Sequence, residues 1–177
     1  MSFADLQRAP EDGRRYERYD GEVFVAPAPF ARHQRVVHEI SRLLDAYAQR
    51  MGGETRFSPI DIVFSEYDVI QPDVLYFRPE RRDLIRQDEV IRSWPDLAVE
   101  VLSRSTADTD RGRKMQMLAR YGVPEHWIVD PMRRMVEIYA LGEGAYELSQ
   151  SAGDADGVRS PTLPDLEFTA DRLFARV

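Results

Sequence analysis

The sequence predicts one domain of the α/β or α+β class, built around a single β-sheet. Short apolar segments alternate along the chain with two longer segments of helical periodicity, which is the order expected of strands and helices that share a core. The length of 177 residues matches one domain with a sizeable core. Hydrophobic residues make up 43% and charged residues 31% of the chain, as in ordinary soluble globular proteins.

The first half of the chain predicts an extended segment, a long helix and two strands. The extended segment, residues 21–26, follows an Asp20-Gly21 turn signal. The helix covers residues 33–50, because apolar residues recur there at helical spacing until a Gly-Gly pair ends the pattern. Residues 60–64 alternate like a half-buried strand, and residues 73–77 form a more apolar one. Residues 79–95 are charged and irregular, which favours a loop with a short helix.

The second half predicts a buried strand, a helix and a set of shorter strands. Residues 97–102 (LAVEVL) form an apolar run broken by one glutamate. A helix follows, from a start within residues 103–108 to Tyr121, where Gly122 and Pro124 end it. The remaining predictions are a strand at 126–129, a hairpin of 136–139 with 146–148, a loop at 151–161 and a short final helix at 169–174.

Composition limits the compartment and the class of partner. The chain has no cysteine, no apolar run long enough to span a membrane, and a polar amino-terminal segment, so we expect a cytoplasmic protein. The net charge of −7 and the pI near 5.1 count against an obligate high-affinity DNA binder. Nucleic acid is not excluded as a substrate, because basic clusters occur at residues 78–86 and 111–113.

Lys114 is the only lysine among the 24 Lys and Arg residues. Lysine is a compact ammonium whose pKa can shift, whereas arginine is a planar and permanently charged fork. Lys114 shares a helix face with Leu118 and Tyr121, so it should point toward the sheet. The alternative is a solvated surface pair with Asp110, four residues earlier, which contributes only a few tenths of a kcal/mol.

Two carboxylates stand where apolar side chains are expected. Glu100 lies between Val99 and Val101 in the middle of a buried strand, and Asp73 opens another strand directly after a proline. Burying an unpaired carboxylate costs several kcal/mol, so such groups normally pair with a cation, accept hydrogen bonds or hold a metal. The alternatives are a buried salt bridge for Glu100 and a turn dipeptide for Asp73.

If the two strands are neighbours, the carboxylates can converge, and with water they suit Mg²⁺. A carboxylate-bound Mg²⁺ polarises a phosphodiester, and an ammonium orients water and stabilises the developing charge. This combination predicts phosphodiester hydrolysis by Asp73, Glu100 and Lys114.

Several stretches, taken together and in order, resemble the Uma2 (DUF820) family, a branch of the PD-(D/E)XK restriction-endonuclease-like superfamily. The resemblance covers nearly the whole chain as one domain, residues 1–177. The matching stretches are residues 16–22, His33, 71–73, 99–103, 110–114, 121–131 and 160–168.

The resemblance implies a mixed sheet flanked by helices, Mg²⁺-dependent hydrolysis of nucleic acid with Mn²⁺ as a substitute, and a homodimer. DNA is favoured over RNA as the substrate. Asp73 and Glu100 match the metal carboxylates, and the carbonyl of Val101 completes the ligand set. Glu22 matches an often acidic position that could contact the metal or orient water. The superfamily's usual lysine lies two residues after the glutamate, where this chain has Leu102, and Lys114 takes its place.

His33 and His38 are five residues apart and so do not form a metal pair on one helix face. For His33 a capping or polar surface role is preferred over an approach to the site. Two other functions stay open: a catalytically inactive binding or assembly module on the same fold, and a purely structural ion network of Asp73, Glu100 and Lys114.

Overall fold

The computed structural model describes residues 3–6, 8, 14–175 and 177. These described residues form twelve strands and four α-helical segments. The helices are α1 (Phe3–Leu6), α2 (Ala31–Met51), α3 (Ala107–Thr109) and α4 (Met115–Arg120). The first six strands are β1 (Arg15–Tyr19), β2 (Glu22–Ala26), β3 (Glu54–Phe57), β4 (Ile62–Val63), β5 (Val69–Ile70) and β6 (Val74–Phe77). The others are β7 (Leu97–Val101), β8 (Glu125–Asp130), β9 (Met135–Leu141), β10 (Tyr146–Gly153), β11 (Gly157–Arg159) and β12 (Glu167–Thr169). Short 3₁₀ helices cover Pro79–Leu84 and Ala170–Phe174.

A six-stranded mixed sheet in the order β10-β9-β8-β7-β6-β3 forms the centre of the fold. The β7–β8 pair is parallel, and the other pairs are antiparallel. This confirms the predicted fold class and the mixed sheet. The expectation of a single sheet is wrong, because β2-β1-β5-β4 form a second sheet and β11-β12 a third.

Alternation along β6 and β7 divides the core into two layers. Val74 and Tyr76 pack with Val99 in the layer that holds α2, whereas Leu75 packs with Ala98 in the layer that holds α4. Period-two geometry therefore turns a residue between Val99 and Val101 toward the α4 layer. Position 100 is that residue, so a carboxylate enters the core beside α4.

Two turns depend on glycine. Asp20 and Gly21 have φ angles of 51° and 87°, so the β1–β2 hairpin closes through two consecutive left-handed residues. Gly52 has a φ angle of 85°, and its N–H donates to the carbonyl of Ala48 where α2 ends. The hairpin turn and the end of α2 both lie where the sequence predicts them. The predicted strand at 60–64 is shorter, because only Ile62–Val63 is paired as a strand.

The helix predicted to run unbroken to Tyr121 contains a π-helical turn. Residues 107–120 are helical throughout, but Asp110–Lys114 adopts π geometry between α3 and α4. A π turn inserts one extra residue per turn, and such turns often occur at functional sites. It brings Asp110 and Lys114 to the buried side of the helix.

Candidate active site

Asp73 lies directly before β6, and the pairing of β6 with β7 brings it to the end of β7. Val74 pairs with Val99 in an antiparallel ladder, so the continued register sets Asp73 opposite Glu100 on the same face. The Oδ2 atom of Asp73 accepts the backbone N–H of Val101 at 2.8 Å. The two strands therefore converge as predicted, with their carboxylates at one end of the sheet.

Three donors hold Asp73 in its buried position. Besides the Val101 N–H, Arg15 Nη1 lies 2.7 Å from Oδ1, and His33 Nε2 lies 3.1 Å from Oδ2. Burial opposes ionisation, but the hydrogen bond from His33 and the charges of Arg15 and Lys114 lower the pKa of Asp73 to about 2. Asp73 is thus an anion at any physiological pH.

Lys114 lies at the centre of three carboxylates. Its Nζ atom is 2.8 Å from Glu17 Oε1, 3.1 Å from Glu100 Oε1 and 3.4 Å from Asp110 Oδ1. Only 2% of the lysine side chain is exposed. The Asp110–Lys114 pair that was considered as a wet surface contact therefore exists, but it is buried.

The surroundings of Lys114 fix its protonation state. Burial favours the neutral amine, but the carboxylates of Glu100 and Glu17, with smaller contributions from Tyr19 and Asp110, raise the pKa of Lys114 well above its ordinary value. Lys114 is consequently a permanent ammonium. Proton release is therefore not a reason for lysine at this position, and its compact point charge is the remaining one.

Glu100 is the least satisfied member of the cluster. Its Oε1 atom is buried and makes no hydrogen bond of good geometry among the described residues, although the Lys114 ammonium lies at ion-pair distance. Burial, together with the nearby carboxylates of Asp73, Asp110 and Glu17, raises the pKa of Glu100 despite Lys114. Burial likewise raises the pKa of Asp110. A buried and under-coordinated carboxylate of this kind is available to a further ligand.

Glu17 belongs to the cluster, and the sequence analysis missed it. Its Oε1 atom accepts the backbone N–H of Gln71 at 2.8 Å as well as the Lys114 ammonium. Its Oε2 atom accepts the Tyr19 hydroxyl at 2.7 Å. One signal was present: Glu17 alternates with Tyr19 in the strand before the Asp20-Gly21 turn, so a carboxylate shares a face with a core aromatic.

Glu22, the expected accessory residue, lies elsewhere. Its carboxylate is exposed and pairs with Arg113 at 2.7 Å, and no hydrogen bond or ion pair joins it to Asp73, Glu100 or Lys114. The hairpin explains the difference, since Glu22 pairs with Tyr19 beside the turn, whereas Glu17 lies further along β1. Glu22 therefore lies outside the cluster, and Glu17 is the carboxylate of this hairpin that belongs to it.

His33 lies in the site and not at the surface. It is 4% exposed, and Nε2 contacts Asp73 while Nδ1 has no hydrogen-bond partner among the described residues. The preferred capping or surface role for His33 is wrong, and the alternative approach to the site is what the structure contains. His38 is largely exposed, beside Glu39.

The cluster carries more negative than positive charge. Four buried carboxylates, those of Glu17, Asp73, Glu100 and Asp110, face the two permanent cations Arg15 and Lys114. With all four ionised, the negative charges outnumber these two positive charges by two. Such an excess is costly in a buried site unless protons or another cation bind there.

An oxygen-liganded divalent cation fits these residues. Glu100 Oε1 is unbonded, and Asp73 Oδ1 has one partner although a carboxylate oxygen has two lone-pair sites. No group of three or more acidic or histidine side chains is placed to hold a metal within residues 14–175. The ligand set would therefore combine two carboxylates with backbone oxygen and water, which suits Mg²⁺. That the Val101 carbonyl belongs to this ligand set stays a prediction.

A cavity of about 640 Å³ adjoins the cluster. It lies where the amino terminus of α2 meets the segments that follow β7 and β8. His33 lines it together with Leu102 and Ser103, which directly follow the Glu100 strand. His33 therefore touches both the cavity and Asp73.

Comparison with known proteins agrees with this architecture. A crystal structure described as that of "a putative nuclease belonging to DUF820", from Anabaena variabilis ATCC 29413, superposes with a TM-score of 0.81 at 18% sequence identity. The match covers 99% of this chain and 98% of that chain, and at this identity it supports the fold alone. No curated protein sequence matches the chain. No helix in the described part of the chain is both long and apolar enough to cross a membrane.

The family comparison confirms the resemblance found in the sequence motifs. The model of the Uma2 family, described as "Putative restriction endonuclease", matches residues 3–171, and that span includes every member of the charged cluster. The chain belongs to the Uma2 family.

Proposed function

We propose that this protein is a Mg²⁺-dependent nuclease that hydrolyses phosphodiester bonds of nucleic acid, with Mn²⁺ as a substitute. The observation that carries the proposal is the buried cluster at the end of β7, where carboxylates outnumber cations around a single lysine. A structural network has no need of surplus charge, whereas a divalent cation site requires it. The family assignment supports the same reading.

Asp73 and Glu100 are the proposed metal ligands, with the Val101 carbonyl beside them. When bound, Mg²⁺ would polarise the phosphodiester and lower the pKa of a bound water. For this the chain must hold both carboxylates oriented, with Asp73 already ionised and any proton on Glu100 displaced by the cation. The Val101 N–H and His33 orient Asp73, and the position of Glu100 in β7 fixes its direction.

Lys114 is proposed to stabilise the negative charge that develops on the phosphate. Because its pKa is raised, its ammonium persists through the reaction as a fixed charge. Arg15 is proposed to help stabilise the same negative charge on the phosphate, because its guanidinium contacts Asp73 and is partly exposed. Glu17 and Asp110 act as positioning residues, because they hold the lysine without belonging to the proposed ligand set.

A catalytically inactive binding or assembly module is the second candidate. Two observations favour it: Leu102 stands where the superfamily has its lysine, and every oxygen of Asp73 already has a protein partner. Under this reading the cluster is an ion network that stabilises the end of β7. DNA as the preferred substrate and a homodimeric state are part of the main proposal.

A cleavage assay separates the two candidates. Single-stranded and duplex DNA and RNA are incubated with the protein and Mg²⁺ or Mn²⁺, with EDTA as the blank. The proposal expects metal-dependent cleavage that Asp73→Asn and Glu100→Gln abolish and that Glu22→Gln preserves. Folding of each variant is checked by circular dichroism. Absence of cleavage on every substrate would favour the inactive module, whereas equal activity in Glu100→Gln would show that Glu100 has no part in cleavage.

A further inference from the structure

The cavity beside His33 has a lining that the proposed chemistry does not use. Its walls come from the first turn of α2, the segment after β7 and the segment after β8. Each wall contributes one arginine: Arg32, Arg104 and Arg133. Asp130 is the single carboxylate of the lining. In a chain of net charge −7, this makes the cavity a local concentration of positive charge.

The arginines are available to a ligand. Arg104 is exposed, and no ion pair involves it in the described part of the chain. Arg133 is 75% exposed, and its Nε atom is 3.9 Å from Asp130, at the edge of ion-pair distance. Among the described residues, the side chain of Arg32 donates a hydrogen bond only to the sulfur of Met132. Exposed guanidinium groups around a cavity are typical of phosphate recognition.

The amino terminus of α2 opens into the same cavity. Phe30 precedes the helix and provides no side-chain cap, and the first turn holds no acidic residue. The backbone N–H groups of such a turn lack partners within the helix and carry the positive end of its dipole. Independently, the buried Nδ1 atom of His33 has no partner, and His33 lines the cavity. The helix turn points to an anionic group of a ligand, and Nδ1, which is an acceptor while Nε2 donates to Asp73, points to a hydrogen-bond donor of the same ligand.

Most of the remaining lining is apolar, and two of its side chains are largely exposed. Phe30 is 78% and Met132 61% exposed, on different walls of the cavity. A duplex presents its phosphates but keeps its base faces stacked inside. An unpaired nucleotide presents a phosphate and a base face together, and aromatic platforms beside arginines are how proteins bind single strands.

We infer that this cavity binds a single-stranded segment of nucleic acid, with a phosphate at the amino terminus of α2 and a base on Phe30. The three arginines contact the neighbouring phosphates, and His33 Nδ1 accepts a hydrogen bond from a base N–H of the bound strand. This deepens the proposed nuclease function and rests on it for the identity of the ligand, because His33 links the bound strand to Asp73.

Binding can be measured without catalysis. Fluorescence anisotropy in EDTA compares a labelled oligothymidylate, an oligouridylate of equal length and a hairpin duplex. We expect either single strand to bind more tightly than the duplex, and the two single-stranded arms distinguish DNA from RNA. Phe30→Ala should weaken single-strand binding about 10-fold, in line with the loss of one stacked base. Arg104→Gln and Arg133→Gln should each lower the slope of log affinity against log salt by about one.

Arg159→Gln is the matched control, because Arg159 is equally exposed but pairs with Glu167 away from the cavity. It should bind like the wild type. Unchanged binding in Phe30→Ala and Arg104→Gln, or tighter binding of the duplex, would overturn the inference. Strand binding that depends on Phe30, without cleavage in Mg²⁺ or Mn²⁺, would refute the nuclease proposal and retain the cavity assignment. Cleavage that is unaffected by Phe30→Ala and Arg104→Gln would retain the nuclease proposal and overturn the cavity assignment.

Discussion

The carboxylate of Glu17 is the closest partner of the Lys114 ammonium, with 2.8 Å between Oε1 and Nζ. The distance to Glu100 is 3.1 Å, and that contact lacks hydrogen-bond geometry. Lys114 therefore does not depend on Glu100 for its position. If Glu100 turns toward a cation, Lys114 keeps its two other buried carboxylate partners, Glu17 and Asp110. The lysine can therefore stay in the same position with and without metal.

Replacing Glu17 should cost more than replacing Glu22. Three donors converge on the two oxygens of Glu17, and a glutamine can accept with only one of them. We expect Glu17→Gln to lower the free energy of unfolding by about 1–3 kcal/mol. Glu22→Gln removes an exposed pair and should stay within about 0.5 kcal/mol. Urea unfolding measures both, and equal effects would contradict the assignment of Glu17 to the cluster.

Removing the lysine should destabilise the fold. Lys114→Met leaves Glu17, Glu100 and Asp110 without their shared cation, and a buried charge that loses its partner costs about 3–5 kcal/mol. Adding Glu100→Gln to this variant should restore part of the loss, because one of the stranded charges is then removed. Additive effects in the double variant, read from urea unfolding, would mean that the two side chains do not interact.

The arginine variant tests the compact shape of the ammonium. Lys114→Arg conserves the charge, so we expect a folded protein that binds metal but loses cleavage, since the bulkier fork places its charge differently from an ammonium held by three carboxylates at 2.8 to 3.4 Å. Circular dichroism and the cleavage assay are run on the same preparation. Full activity in Lys114→Arg would show that any cation suffices there.

Glu100 should make the metal-free protein more stable as the pH falls from neutral. Its pKa in the folded state is raised above the ordinary 4.5, so the native protein binds a proton that the unfolded chain does not, and this stability is lost as the pH rises through the folded-state value. Glu100→Gln resembles the protonated form and should be as stable as the wild type or more stable at neutral pH.

The difference between the two proteins isolates Glu100. Burial lowers the pKa of His126 to about 3, which destabilises both proteins below pH 6.5, so that contribution cancels. Asp73, with its lowered pKa, keeps its contribution until the pH falls below about 3.8 and also cancels. The advantage of Glu100→Gln in urea unfolding should shrink from pH 7 toward 4.5. A loss of several kcal/mol in Glu100→Gln at neutral pH would instead identify Glu100 as a structural ion-pair partner.

Local patterns were sufficient for the parts of the site that lie on regular elements. The β6 and β7 strands, the α2 helix and the buried direction of Lys114 follow from periodicity and from carboxylates in apolar runs. The π turn was missed because an inserted residue leaves no mark in an apolar pattern that continues on both sides. The four-stranded sheet was missed because its two-residue strands are too short to show a period.

Glu17 and His33 depend on contacts between distant segments. Glu17 reaches the cluster through the pairing of β1 with β5, where Arg18 lies opposite Val69. His33 reaches Asp73, forty positions away in sequence, from the start of a helix in the other layer. Sequence spacing carries no information on either approach, because tertiary packing alone determines which segments meet.

Isothermal titration calorimetry with Mg²⁺ and Mn²⁺ tests the central claim, that the surplus negative charge of the cluster is a divalent cation site. The wild type should bind one ion per chain, and Glu100→Gln and Asp73→Asn should lose the binding while staying folded. Glu22→Gln, the matched control outside the cluster, should bind like the wild type. Absence of binding in the wild type, or equal binding in Glu100→Gln, would contradict the account and leave the cluster as a structural ion network.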